Sequence, residues 1–245
     1  MLSGATKGFT MSYLRLMLVS LFVTLVVAPA LADKCHKCHQ SRDFKVTNKR
    51  IYDYNIDFEM SVHGIAELEC NDCHGGDSST NNMEKAHKGV LAPVKYDKIP
   101  TTCGECHDEQ HDAFITSNHF IKLENSTGAP NCVTCHGAMD MDFIFASRVK
   151  NTCQFCHNHE SGTFPEVPEQ ADYILSKINI IKGYKSFVEA HAKDKDLVKE
   201  LAVSYDKLTA RWHSFDLDGV ETDTRSLLGE YRKAKAQAMK DRRNK

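Results

Sequence analysis

The sequence predicts a mainly α-helical protein with extensive coil, and three observations predict it. All ten cysteines fall into five Cys-x-x-Cys-His copies within residues 33–166, joined by polar, glycine-containing connections such as 75–82 (Gly-Gly-Asp-Ser-Ser-Thr-Asn-Asn). Residues 167–245 hold no cysteine and repeat their apolar residues at helical spacing. A short apolar run near the N-terminus has the form of a leader, outside the fold.

The leader is expected over residues 1–32. Lys7 and Arg15 precede an apolar run from Leu16 to Ala28, and Ala30-Leu31-Ala32 supplies a small-x-small cleavage pattern. Met11 could serve as an alternative start. The run is shorter than a bilayer-spanning helix needs, so cleavage is expected over a retained membrane anchor. The mature chain would begin at Asp33, exported to the periplasm or the cell surface.

The five motifs carry the chemistry. They are Cys35-Cys38-His39, Cys70-Cys73-His74, Cys103-Cys106-His107, Cys132-Cys135-His136 and Cys153-Cys156-His157. Two thiols three residues apart can each bond one vinyl group of a porphyrin, and the adjacent imidazole can then reach the iron. Each copy is therefore the attachment signature of a c-type haem. Five disulfides would not place a histidine after every second cysteine. Zinc, which takes four ligands per ion, would strand the fifth motif. The expected cofactor set is five haem c, with His39, His74, His107, His136 and His157 as proximal ligands.

Motif starts lie 35, 33, 29 and 21 residues apart, too irregular for a solenoid repeat. With a haem for roughly every 27 residues of the 33–166 domain, stacked porphyrins should form its core, wrapped by short helices and coil. Residues 167–245 should instead form a helical hairpin plus a third helix. Their stripes are Ala171, Ile174, Leu175, Ile178, Ile181 and Tyr184; Leu197, Val198, Leu201, Ala202, Tyr205 and Leu208; and Val220, Leu227, Leu228, Tyr231 and Ala234. Pro168 suits a first helical turn, and Asp194 and Asp218 read as N-caps of the second and third helices.

Charge divides at the same boundary. Residues 33–166 carry 13 basic and 20 acidic side chains, whereas 167–245 carry 16 and 13. Haem propionates would make the first part more acidic still. The basic C-terminal run, from Arg232 to Lys245, reads as a solvated helix end whose cations suit the dipole, not as a nucleic-acid site.

Eight histidines remain for the distal positions: His36, His63, His87, His111, His119, His159, His191 and His213. His87, in a loop between motifs, is a candidate distal ligand. His111 and His159 follow a proximal histidine too closely to reach their own haem, but could ligate a neighbouring one. His191 and His213 fall on predicted helices, where packing or exposure competes with ligation; His213 is retained as a distal candidate. His36, inside the first motif, is expected to face solvent.

The segment Phe58-Glu-Met-Ser-Val-His63-Gly, followed by Cys70-Asn-Asp-Cys73-His74-Gly75-Gly76, resembles bacterial multihaem cytochromes c of the cytochrome c554, hydroxylamine oxidoreductase and nitrite reductase group. Cys103-Gly-Glu-Cys106-His107 with Ser117-Asn-His119 repeats the form, and Gly128-Ala-Pro-Asn-Cys132 begins a third instance. The resemblance covers roughly Ile51 to His157, with a weaker likeness of the C-terminal helices, around Trp212-His213, to the nitrite reductase tail. It implies distal ligation by His63 and His119. It also implies that Met139 stands where a ligand histidine often follows Cys135-His136-Gly137, making Met139 a candidate ligand. Met139 and Met141 could equally pack against a porphyrin face.

These readings lead to an exported pentahaem cytochrome c that passes single electrons between redox proteins, such as a quinol-oxidising cytochrome, a terminal reductase or other multihaem cytochromes. The principal rival is a reductase with one open haem acting on a small nitrogen or sulfur oxyanion. The lysine-bearing Cys-x-x-Cys-Lys of the nitrite reductase site is absent from the sequence. The third reading is a subunit of an extracellular haem polymer, joined through haem-edge contacts.

Overall fold

A computed structural model describes residues 34–125, 128–142 and 144–243. The expected leader and its cleavage site lie outside the described residues. The fold is mainly helical, with no strand among the described residues, and no described helix is long and apolar enough to cross a membrane.

The N-terminal part is a series of short helices. They are α1 (Lys34–His39), α2 (Arg42–Thr47), α3 (Lys49–Met60), α4 (Val62–Ile65), α5 (Cys70–His74), α6 (Met83–Ala86), α7 (Ile99–Gly104), α8 (Asp108–Phe114), α9 (Asn118–Asn125), α10 (Cys132–His136) and α11 (Ala146–Gln154). Such short helices are marginal alone and need tertiary support, yet little apolar packing supplies it. Among the described residues, one apolar cluster here joins Phe114, Leu123 and Ala129, with Phe120 and Phe215 against them. Elsewhere large apolar side chains lie open: Val46 is 82% exposed, Met60 78% and Ile65 73%. Their exposure contrasts with an ordinary domain, in which such residues pay the conformational entropy of folding by being buried.

The C-terminal part folds by that ordinary rule. It comprises α12 (Val167–His191), α13 (Lys195–Arg211), a 3₁₀ turn (Trp212–Ser214) and α14 (Leu217–Arg243). Helix α12 packs along α14, and α13 completes the group. Their shared core contains Ile174, Ile178, Ile181, Val188, Leu201, Leu208, Val220, Leu227, Leu228, Tyr231 and Ala234. Most of the expected stripe residues are there; Leu197 instead stands 37% exposed near the start of α13. The fully buried Tyr231 hydroxyl donates to the Leu201 carbonyl at 2.9 Å, joining α14 to α13.

Pro168 lies in the first turn of α12, where its missing N–H costs nothing. Asp194 caps α13 by accepting from Leu197 N at 3.0 Å. The expected cap at Asp218 needs correction, because that residue is already inside α14. Asp216 carries out the role: its carboxylate accepts from Gly219 N at 3.2 Å, and its carbonyl accepts from Val220 N. Both aspartates precede the apolar pattern at plausible spacing, and only the turn geometry distinguishes them. The two parts touch where α11 lies on α12, and where α8 meets α13 and the 3₁₀ turn.

Candidate functional site

Each Cys-x-x-Cys-His copy is held in a helical turn that brings its cysteines and histidine together. Helices α5 and α10 consist of the second and fourth motifs alone. Glu69 and Asn131 cap them, with Asp72 and Thr134 returning the reciprocal bond to the cap N–H. Gly75 (φ 68°) and Gly137 (φ 83°) end these turns in a conformation open chiefly to glycine. In the third and fifth motifs the helix ends within the motif, and the turn continues through His107 N to the Cys103 carbonyl (3.0 Å) and His157 N to the Cys153 carbonyl (2.8 Å). No disulfide joins any of the ten cysteines, all of which are described.

Consecutive motifs are neighbours. The Cys103 and Cys132 thiols hydrogen-bond one another, which holds Cys103 down at about 7 and pushes Cys132 up. The Cys73 thiol is raised by burial and by the charges of Cys103 and, less, Cys106. Burial and nearby Cys135 raise Cys153 to about 11. The first motif meets the segment after the second, where Lys34 N donates to the Ser78 carbonyl. The second, third, fourth and fifth motifs thus form a spatial series in sequence order, with the first beside the second.

Four of the five motif histidines face a second imidazole. His39 and His87 have ring centroids 6.0 Å apart, His107 and His63 5.9 Å, His157 and His119 6.0 Å, and His136 and His213 6.2 Å. An imidazole nitrogen binds a metal at about 2 Å and stands about 1 Å from its ring centre, so two imidazoles on one ion hold their centroids roughly 6 Å apart. The four pairs match that separation. They also fit a ligand set of two neutral imidazoles on a haem iron.

The surroundings suit that chemistry. His87 Nδ1 donates to the Met83 carbonyl at 2.8 Å, His157 Nδ1 to Thr163 at 3.1 Å, and His213 Nδ1 to Thr209 at 3.0 Å. Donation through Nδ1 fixes the tautomer whose Nε2 lone pair is available to a metal, and it orients the ring. His63 and His119 are positioned by their helix starts instead. Ser61 and Ser117 side chains accept from Gly64 N and Phe120 N, each at 3.1 Å, placing the histidines two residues past the serine. Nδ1 of His63 and of His119 is buried, without a hydrogen-bond partner among the described residues. Burial pulls both His119 and His136 down to about 4, assisted by the facing His157 and His213 respectively. Burial likewise lowers His63 and His213. Neutral imidazole is the ligating form.

The remaining candidates stand elsewhere. The His111 ring packs on Gly104 and lies 3.5 Å from the Asp112 carboxylate. His159 is exposed beyond the fifth motif. His191 stacks edge-on with Phe187 at 4.6 Å. His36, expected to face solvent, is half-buried and paired with Glu59. Met139 is half-buried after the fourth motif, but it is His213 that stands opposite His136.

Phe215 was not among the sequence candidates. It adopts a left-handed backbone conformation (φ 56°) after the 3₁₀ turn and sets its ring edge-on to His119 at 4.5 Å. A bulky residue in that region is strained and persists only where packing compensates. The adjacent Trp212-His213 and Asp216 could have signalled a sharp corner, but nothing local signalled contact with His119.

Comparison with protein-family models, curated proteins and solved structures finds no match.

Proposed function

We propose that this protein is a pentahaem c-type cytochrome that carries electrons. The observation carrying the proposal is the set of four imidazole pairs, each joining a Cys-x-x-Cys-His histidine to one distant in sequence, with centroids 5.9–6.2 Å apart. Zinc or disulfide chemistry gives no reason for that recurrence. The poorly buried apolar residues beside the motifs support the same reading, since porphyrin faces would cover them.

Five thioether-bound haems would supply one-electron redox chemistry. The chain's own residues would set the conditions: the motif cysteines would hold each group covalently, the four histidine pairs would ligate the iron, and backbone carbonyls orient His87, His157 and His213. Motifs neighbouring one another in series support short intramolecular steps. The acidic 33–166 region favours a basic partner face, so exchange should slow as salt screens the attraction. Export to the periplasm or cell surface belongs to the same reading.

The test combines intact mass with anaerobic redox exchange. A mass increment of five haems, fast exchange with another cytochrome, and slow reoxidation by nitrite, hydroxylamine or tetrathionate are expected. Absence of covalent haem would overturn the cofactor assignment. Rapid, saturable turnover with any of the three would make the protein a reductase.

A further inference from the structure

Resting on the pentahaem reading, we propose that the haem held by His74 keeps an open sixth position and binds a small exogenous ligand donating through carbon or nitrogen.

The argument begins with a complete histidine account. All thirteen lie among the described residues, and five belong to motifs. His87, His63, His213 and His119 face His39, His107, His136 and His157. The other four are engaged or placed elsewhere: His36 with Glu59, His111 against Gly104 and Asp112, His191 with Phe187, and His159 exposed beyond the fifth motif. Every histidine is thereby assigned, and none stands across from His74.

His74 is nevertheless prepared as a ligand. Its Nδ1 donates to the Leu91 carbonyl at 2.9 Å, while Leu91 N donates to the His74 carbonyl at 2.7 Å. This reciprocal clamp fixes ring and backbone together, leaving Nε2 as the lone-pair donor. The approach is close: a Cβ on Gly75 would stand 3.1 Å from the Gly89 carbonyl, and one on Gly76 would stand 2.6 Å from the Ala86 carbonyl. The structure therefore orients His74 as firmly as any other motif histidine, but from one side alone. An iron with one protein ligand takes up small axial ligands, whereas a two-imidazole iron must first release one.

The experiment uses the full holoprotein, with carbon monoxide as the probe of the ferrous state and cyanide of the ferric state. EPR of the oxidised protein should show one high-spin haem beside four low-spin ones, and reduced protein should bind about one equivalent of carbon monoxide. A Cys70→Ala/Cys73→Ala variant should carry four haems and lose both signals. If that variant does not fold, His87→Ala serves instead and should raise the uptake to about two equivalents. Five low-spin haems with no carbon monoxide uptake would overturn this inference while leaving the cytochrome reading intact. A high-spin haem retained in the four-haem variant would overturn the assignment to His74. A protein without covalent haem would remove the underlying reading instead.

Discussion

On the pentahaem reading, replacing His213 with alanine should open a haem held by the fourth motif and loosen the contact between the two parts of the protein. His213 sits in the 3₁₀ turn after α13, with its ring nearly parallel to His136 (13°) and 6.2 Å away. The carbonyls of Thr209 and Ala210 hold its Nδ1. Alanine removes the ring, and α13 cannot carry another imidazole into the same place. The low-spin population should fall by one haem, and carbon monoxide uptake should rise by about one equivalent. A stability cost follows from topology. An iron bond between positions 136 and 213 would close a loop of 77 residues, and the chain-entropy relation for a permanent cross-link of that length gives about 4.5 kcal/mol. A coordination bond can open on unfolding, and α11 and α8 already hold the C-terminal helices. A loss of roughly 2–4 kcal/mol is therefore expected in guanidinium unfolding followed by helical circular dichroism. Unchanged low-spin intensity in a folded variant would refute His213 as a ligand. Altered spectra with unchanged stability would refute the topological part alone.

Two further outcomes are expected. Tyr231→Phe should cost about 1 kcal/mol, because the buried hydroxyl bond to the Leu201 carbonyl is lost while the ring still packs; thermal unfolding measures it, and the haem spectrum should not change. Acid should destabilise the fold through His119 and His136, held near 4 against an unfolded value of about 6.5. The unfolded chain binds these protons first, so stability is intact above about pH 6.5 and falls below it; iron bonds to the same rings would hold the folded values lower still, so the loss continues below pH 4. Spectra and circular dichroism recorded together across this range test the window, and a fold whose stability rises on acidification would contradict it.

The motif turns were legible because the demand they meet is local: a Cys-x-x-Cys-His spacing gathers two cysteines and a histidine in one helical turn, and each copy does lie in such a turn. The stripes of α12, α13 and α14 were legible for a similar reason, since apolar residues at 3.6-residue spacing bury a continuous face. The pairing of motif histidines with distant imidazoles was not. His87 is 48 residues from His39, His119 is 38 from His157, and His63 precedes His107 while His213 follows His136 by 77. Pairing across such separations is decided by tertiary structure, which no periodicity encodes. The choice of Asp216 over Asp218 failed to be legible at shorter range, because the 3₁₀ turn displaces the helix start.

The corner between α13 and α14 shows why the cysteine-free part belongs to the site. One turn presents His213 to His136 of the fourth motif, and two residues later Phe215 meets His119, the partner of His157 in the fifth. The left-handed backbone at Phe215 makes both possible, since it reverses the chain without moving the turn away from the motifs. Arg211 steadies the same corner through ion pairs with Asp216 and Asp223. Such exposed pairs contribute little individually, so the corner's geometry depends chiefly on the buried helices at either side. A stable C-terminal core thereby does what the sparsely packed N-terminal part cannot do alone: it brings an imidazole from far along the chain to the histidine of the fourth motif.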